Sequence, residues 1–104
     1  MILFTKTFTR PNTNIKFHHE VLDNSLFKNH LKKNYYDTGK LLSEKKITDE
    51  SNLILTYKSL WNSRSDFDEY DNDPVLTLYW SQRDDYNRVN NIVTGEKIFK
   101  EVEN

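Results

Sequence analysis

Apolar residues recur along this chain at two different periods, and each change of period marks the edge of an element. Ile2, Phe4 and Phe8 alternate with Leu3, Thr5, Thr7 and Thr9, which predicts a strand rich in residues suited to a pleated surface. Pro11-Asn12-Thr13-Asn14 breaks the alternation, and Ile15 to His19 is expected to resume extended structure briefly. The period then shifts. Leu26, Phe27, His30, Leu31, Asn34 and Tyr35 share one face at 3.6-residue spacing, which predicts an amphipathic helix capped by Asn24 or Ser25 and ended by Gly39. Alternation returns over Leu41 to Thr48, where charged residues fill half the positions, and Asp49-Glu50-Ser51-Asn52 reads as a turn. Leu53 to Trp61 places Leu53, Leu55, Tyr57 and Trp61 against Ile54, Thr56 and Leu60, so the two runs form a hairpin.

The second half repeats the scheme. Ser63 or Ser65 caps a short helix carrying Phe67 and Tyr70, and Asp73-Pro74 starts a longer one, with Asp as the cap and Pro at the first helical position. Its apolar face is read as Val75, Leu78, Tyr79, Gln82, Tyr86, Val89 and Val93. Gly95 is expected to close this helix as Gly39 closes the first, and Lys97 to Val102 to form the last strand. Both glycines of the chain thus follow a threonine at a helix-to-strand exit. The predicted order is β-α-β-β-α-β, the α+β ferredoxin-like arrangement: an antiparallel sheet with both helices on one face. The uncovered face predicts a homodimer.

A length of 104 residues predicts one domain, spanning 1–104. Six Phe, six Tyr and two Trp supply most of the apolar bulk in a chain with no Ala, so an aromatic core is expected. The missing Ala beside abundant Asn, Lys and Ile points to an AT-rich coding sequence, as in some phages and bacteria. There is no Cys, hence no disulfide framework and no thiolate zinc site, and no signal-peptide layout or membrane-length apolar run is visible. A cytoplasmic protein is expected. Residues 1–62 carry a net +4 and residues 63–104 a net −5, giving −1 overall. Complementary halves or subunits account for this better than a nucleic-acid surface.

The run Tyr36-Asp37-Thr38-Gly39-Lys40-Leu41-Leu42, the hairpin into Trp61, and Ser65-Asp66-Phe67-Asp68-Glu69-Tyr70 before Asp73-Pro74 resemble the dimeric α+β barrel superfamily of antibiotic-biosynthesis monooxygenases. The resemblance covers nearly the whole chain. It implies two sheets packed face to face in a homodimer, and, among activities, cofactor-free oxidation of a quinol-type molecule between sheet and helices. Haem-degrading members use a histidine on the second helix and an asparagine on the first strand. Neither is present here, since no His follows His30 and the first strand lacks Asn.

Candidate sites carry duller explanations beside the chemical ones. His18-His19-Glu20 invites a metal reading, but strand neighbours face opposite ways, so a solvated loop or helix entry is expected. The acids from Asp66 to Asp73 lack the glycine and terminal glutamate of a calcium loop and are read as helix starts. Lys28, His30, Lys32 and Lys33 are read as a solvated helix face. His30, Tyr35, Trp61 and Tyr79 are the candidate pocket residues for a small-molecule ligand, with no metal and no cofactor required. No catalytic residue can be assigned. Two readings follow: an accessory or binding module without catalytic residues, and a monooxygenase-like enzyme acting on a small aromatic or quinol-type molecule.

Overall fold

The computed structural model describes residues 1–103. Strand β1 (Ile2–Thr9) is followed by a one-turn helix α1 (His18–Val21) and by α2 (Ser25–Leu31), which continues as a π-helical turn over Lys32–Tyr36. β2 (Leu41–Thr48) and β3 (Ile54–Trp61) form the hairpin, and α3 (Arg64–Asp71) and α4 (Pro74–Val89) precede the short β4 (Val93–Thr94) and β5 (Ile98–Glu101). The sheet runs β2-β3-β1-β4 with β5 also on β1, every pair antiparallel. Because β4 pairs with Phe8 and Thr9 while β5 pairs with Ile2 to Thr5, the two are segments of one edge, interrupted around Gly95. This is the expected ferredoxin-like order. Ser63 accepts from the Asp66 N–H and Asp73 from the Val75 N–H, so the caps expected for α3 and α4 form, whereas Asn24 begins α2 without a side-chain cap hydrogen bond.

Three expectations are corrected. Gly95 does not close α4. The helix ends at Val89, and Asn91 takes the left-handed conformation at φ 57°, which a short polar side chain tolerates. Gly39, at φ 77°, is the helix-exit glycine. Gly95 is required for closeness instead: its N–H donates to Thr7 O at 2.8 Å, and a Cβ there would run into Thr7 Oγ1.

The buried face of α4 also differs from the expected one. Leu76 and Asn87 are buried and Trp80 and Arg83 half-buried, at steps of four, three and four residues, whereas Leu78 is 71% exposed and Val75 and Val89 are exposed. The expected face holds at Tyr79 and Tyr86, which are half-buried, and fails at Val75, Leu78 and Val89, because the innermost stripe carries Arg83 and Asn87. Finally, His18 is not solvated: it is 8% exposed at the start of α1, its ring edge-on to Phe8.

The core divides in two. Phe4, Leu31, Tyr35, Leu41, Trp61, Phe67, Tyr70 and Leu76 form one cluster, and Phe8, Phe17, Leu55 and Ile92 the other. Register explains the division. On the helix-facing side of the sheet, Thr48, Leu55 and Phe8 lie in one cross-strand row and Glu44, Ser59 and Phe4 in another, and between them runs Lys46, Tyr57 and Lys6. Two lysines in the middle row separate Leu55 and Phe8 from Phe4.

Candidate functional site

Where the cation row interrupts the core, a cavity of about 440 Å³ opens between the sheet and helices α1, α2, α3 and α4. Phe4 and Phe8 reach it from opposite core clusters, and Phe27, Tyr70, Tyr79 and Trp80 form aromatic walls. Phe27 and Tyr79 rings lie 4.6 Å apart between centroids, and Tyr70 and Trp80 meet edge-on at 4.9 Å. Such a volume and lining suit a small planar molecule.

Basic groups converge on the floor. Burial, then the Arg83 guanidinium and to a lesser degree Lys97, brings the Lys6 ammonium down to about 8, against the opposing carboxylates of Asp84 and Asp71. Burial, with Arg83, His19, Lys46 and Lys6 adding in turn, holds His18 down at about 3, so its ring is neutral at neutral pH. Lys46 is lowered by burial and by Lys28, against Glu44. His19 is lowered by burial and by Lys46. The Nδ1 atoms of His18 and His19 are buried without a hydrogen-bond partner.

The acids lining the cavity are engaged. Glu44 accepts from Tyr36 OH at 2.8 Å and from Tyr57 OH on its other oxygen. Asp71 pairs with Lys97 at 2.9 Å, and Asp84 with Arg83 at 3.1 Å. Burial first, then nearby acids, pushes the Tyr57 and Tyr70 hydroxyls well above their ordinary range, so both stay protonated. Lys6 and Lys46 make no ion pair among the described residues.

Of the four residues singled out by sequence, Tyr79 lines the cavity and the other three lie elsewhere. His30 and Tyr35 meet at the start of α4, where Tyr35 OH donates to Asp73 Oδ2 at 2.6 Å and His30 Nε2 reaches the same oxygen at 2.7 Å. An ionised carboxylate only accepts, so Nε2 carries the proton. Trp61 is fully buried in the larger core cluster, its indole N–H donating to Ser59 Oγ at 2.8 Å. Lys6, Lys46 and Arg83 carry no expectation from the sequence, and His18, expected in a solvated loop or helix entry, joins them in the cavity lining. The available signal was a charge on a face otherwise apolar: Lys6 sits between Phe4 and Phe8 in the β1 alternation.

Among the described residues, no group of three or more His, Asp or Glu could hold a metal ion, and no helix is long and apolar enough to cross a membrane.

The fold is α+β and ferredoxin-like, an antiparallel sheet with its helices enclosing a cavity on one face. In solved structures the chain is similar to the "crystal structure of a putative antibiotic biosynthesis monooxygenase" from Deinococcus radiodurans, with a TM-score of 0.66 and 14% identity, covering 100% of this chain and 94% of that one. At that identity the likeness speaks for the fold. No family model and no curated protein matches the sequence.

Proposed function

We propose that this protein binds a small planar aromatic molecule in the cavity between sheet and helices, as a homodimer formed through the open face of the sheet. The observation that carries the proposal is the cavity itself: a core of this size does not leave about 440 Å³ walled by aromatic rings and floored by unpaired lysines for stability's sake. Intermolecular nuclear Overhauser contacts between bound 2-naphthol and the Tyr79 and Trp80 rings are the expected result. Contacts confined to surface residues, or no binding, would overturn it.

The open face supports the dimer. It presents the threonines of β1 with Ile47, Ile54, Val93 and Ile98, the last 58% exposed, beside Lys45, Lys58 and Lys100, so a copy of the chain would pack on the β-branched positions with the lysines kept at the solvated rim. Sedimentation equilibrium should give twice the chain mass of 12.5 kDa, and a stable monomer at micromolar concentration would contradict this. A Cys-free sequence supports a cytoplasmic setting.

A second reading, cofactor-free oxidation of a quinol-type molecule, is favoured by Lys6. With its pKa lowered to about 8, its free amine would accept a phenolic proton of a quinol-type molecule, and molecular oxygen would take two electrons, giving the quinone and hydrogen peroxide. Oxygen uptake with a naphthohydroquinone, above the rate of its spontaneous oxidation and lost on Lys6→Met, tests it. An unchanged rate in the variant excludes it.

A further inference from the structure

We infer that the cavity selects an anion, specifically a planar aromatic carboxylate whose charged end is held by Lys6 and Lys46. This rests on the cavity being a ligand site and adds what that ligand must carry.

Lys6 and Lys46 are both opposite Tyr57, one on each side, so their Cα atoms lie two strand spacings apart, about 10 Å, and both side chains leave the same face of the sheet. Two lysine stems bridge that distance easily, so both ammonium groups can meet one carboxylate above the Tyr57 ring. The remaining charges around them do not supply that anion. Arg83, Asp84, Asp71 and Lys97 face Lys6 from the helices and the edge strand, and they are already joined as Arg83–Asp84 and Lys97–Asp71. Lys28 and Glu44 face Lys46, and Glu44 is turned to the Tyr36 and Tyr57 hydroxyls and forms no ion pair with either lysine.

His18, more than nine-tenths buried, lines the same cavity beside the lysines with a neutral ring, and so brings no further cation to the site. The aromatic walls decide what the anion is attached to. Phe27, Tyr79 and Trp80 offer ring faces and edges to a flat apolar body, leaving the polar demand at the sheet.

The test compares 2-naphthoate with 2-naphthol, two probes of the same shape and different charge at neutral pH, by isothermal titration calorimetry. The naphthoate should bind about tenfold more tightly, the difference should vanish in Lys6→Met and in Lys46→Met, and Lys6→Arg should retain it. Far-ultraviolet circular dichroism confirms that each variant is folded, and Lys6→Arg separates loss of charge from loss of packing. The naphthoate preference should also shrink as pH rises past 8, where Lys6 loses its proton, with 2-naphthol as the reference up to its own ionisation. Equal binding of the two probes, or a preference that survives both methionine variants, overturns the anion inference while leaving the cavity reading intact. Failure of both probes to bind removes both.

Discussion

Tyr35 and Asp73 are joined by a 2.6 Å hydrogen bond that ties the π-helical turn after α2 to the first residue before α4. Asp73 serves two elements at once: Oδ1 accepts the Val75 N–H at 2.9 Å as the helix cap, and Oδ2 accepts from Tyr35 and meets His30. Asp73→Ala should therefore destabilise the protein by about 2 to 3 kcal/mol in urea unfolding, from a lost cap plus a Tyr35 hydroxyl left without its acceptor. Tyr35→Phe, which keeps the ring and the cap, should cost about 1 kcal/mol.

The same carboxyl fixes one acid limb of stability. Burial pushes Asp73 up, but hydrogen bonds from Tyr35, His30 and Val75 outweigh it, so its folded pKa lies below the ordinary value. The unfolded chain then takes up the proton first, and the stabilisation is present above the unfolded value, near 3.9, and lost as pH falls through the folded one. Urea midpoints for Asp73→Asn should show a shallower fall below about pH 4 than those of the parent chain.

His18 acts over a higher window. Its folded pKa is held at about 3 while the unfolded value is near 6.5, so between those limits the unfolded state binds the proton and the folded state does not. Stability should fall as pH drops below about 6.5, by on the order of 2 kcal/mol at about pH 5, and level off below about 3. His18→Gln should flatten that window. An unchanged slope in the variant would place the effect on another group.

The elements were legible from the sequence wherever apolar periodicity and cap chemistry agreed: Ser63 and Asp73 announce their helices, and the alternation of β3 assigns Leu55 and Trp61 to the buried face. The site was not legible for a related reason. A cavity is made by polar residues standing on a buried face, and a reading that collects apolar residues discards them. Lys6 interrupts the Ile2, Phe4, Phe8 row, and Arg83 interrupts the Leu76, Trp80 stripe, so neither is among the apolar positions that define its face. Cross-strand register, which aligns Lys6, Tyr57 and Lys46, depends on where β1 pairs and is not encoded in any one segment. His30, Tyr35 and Trp61 drew attention as aromatic or titratable residues, and their polar atoms are occupied by Asp73 and Ser59.

Trp61 gives a prediction that separates core from cavity. Its N–H is buried and its partner is the buried Ser59 hydroxyl, so Ser59→Ala should cost about 1 to 3 kcal/mol by leaving that donor unpaired. Because neither side chain lines the cavity, binding of 2-naphthoate to the folded variant should be unchanged. A stability loss accompanied by weaker probe binding would show that the core and cavity are coupled.

The two glycines should respond differently to the same substitution. At Gly39 nothing lies near an added Cβ, but φ is +77°, so Gly39→Ala should cost about 1 to 2 kcal/mol through the backbone alone. At Gly95 the obstacle is a neighbour: the added Cβ meets Thr7 Oγ1, while Thr7 O and Cβ stay at 3.4 and 3.5 Å. Gly95→Ala should therefore cost about 1 to 3 kcal/mol as a local overpacking. Thr7→Ala removes the obstructing oxygen and, on its own, should lie within about 0.5 kcal/mol of the parent chain. Adding Thr7→Ala to Gly95→Ala should recover most of the loss, and adding it to Gly39→Ala should recover none. If the Gly95→Ala penalty persists without the threonine hydroxyl, the strain lies in the backbone between β4 and β5 rather than in the approach to β1.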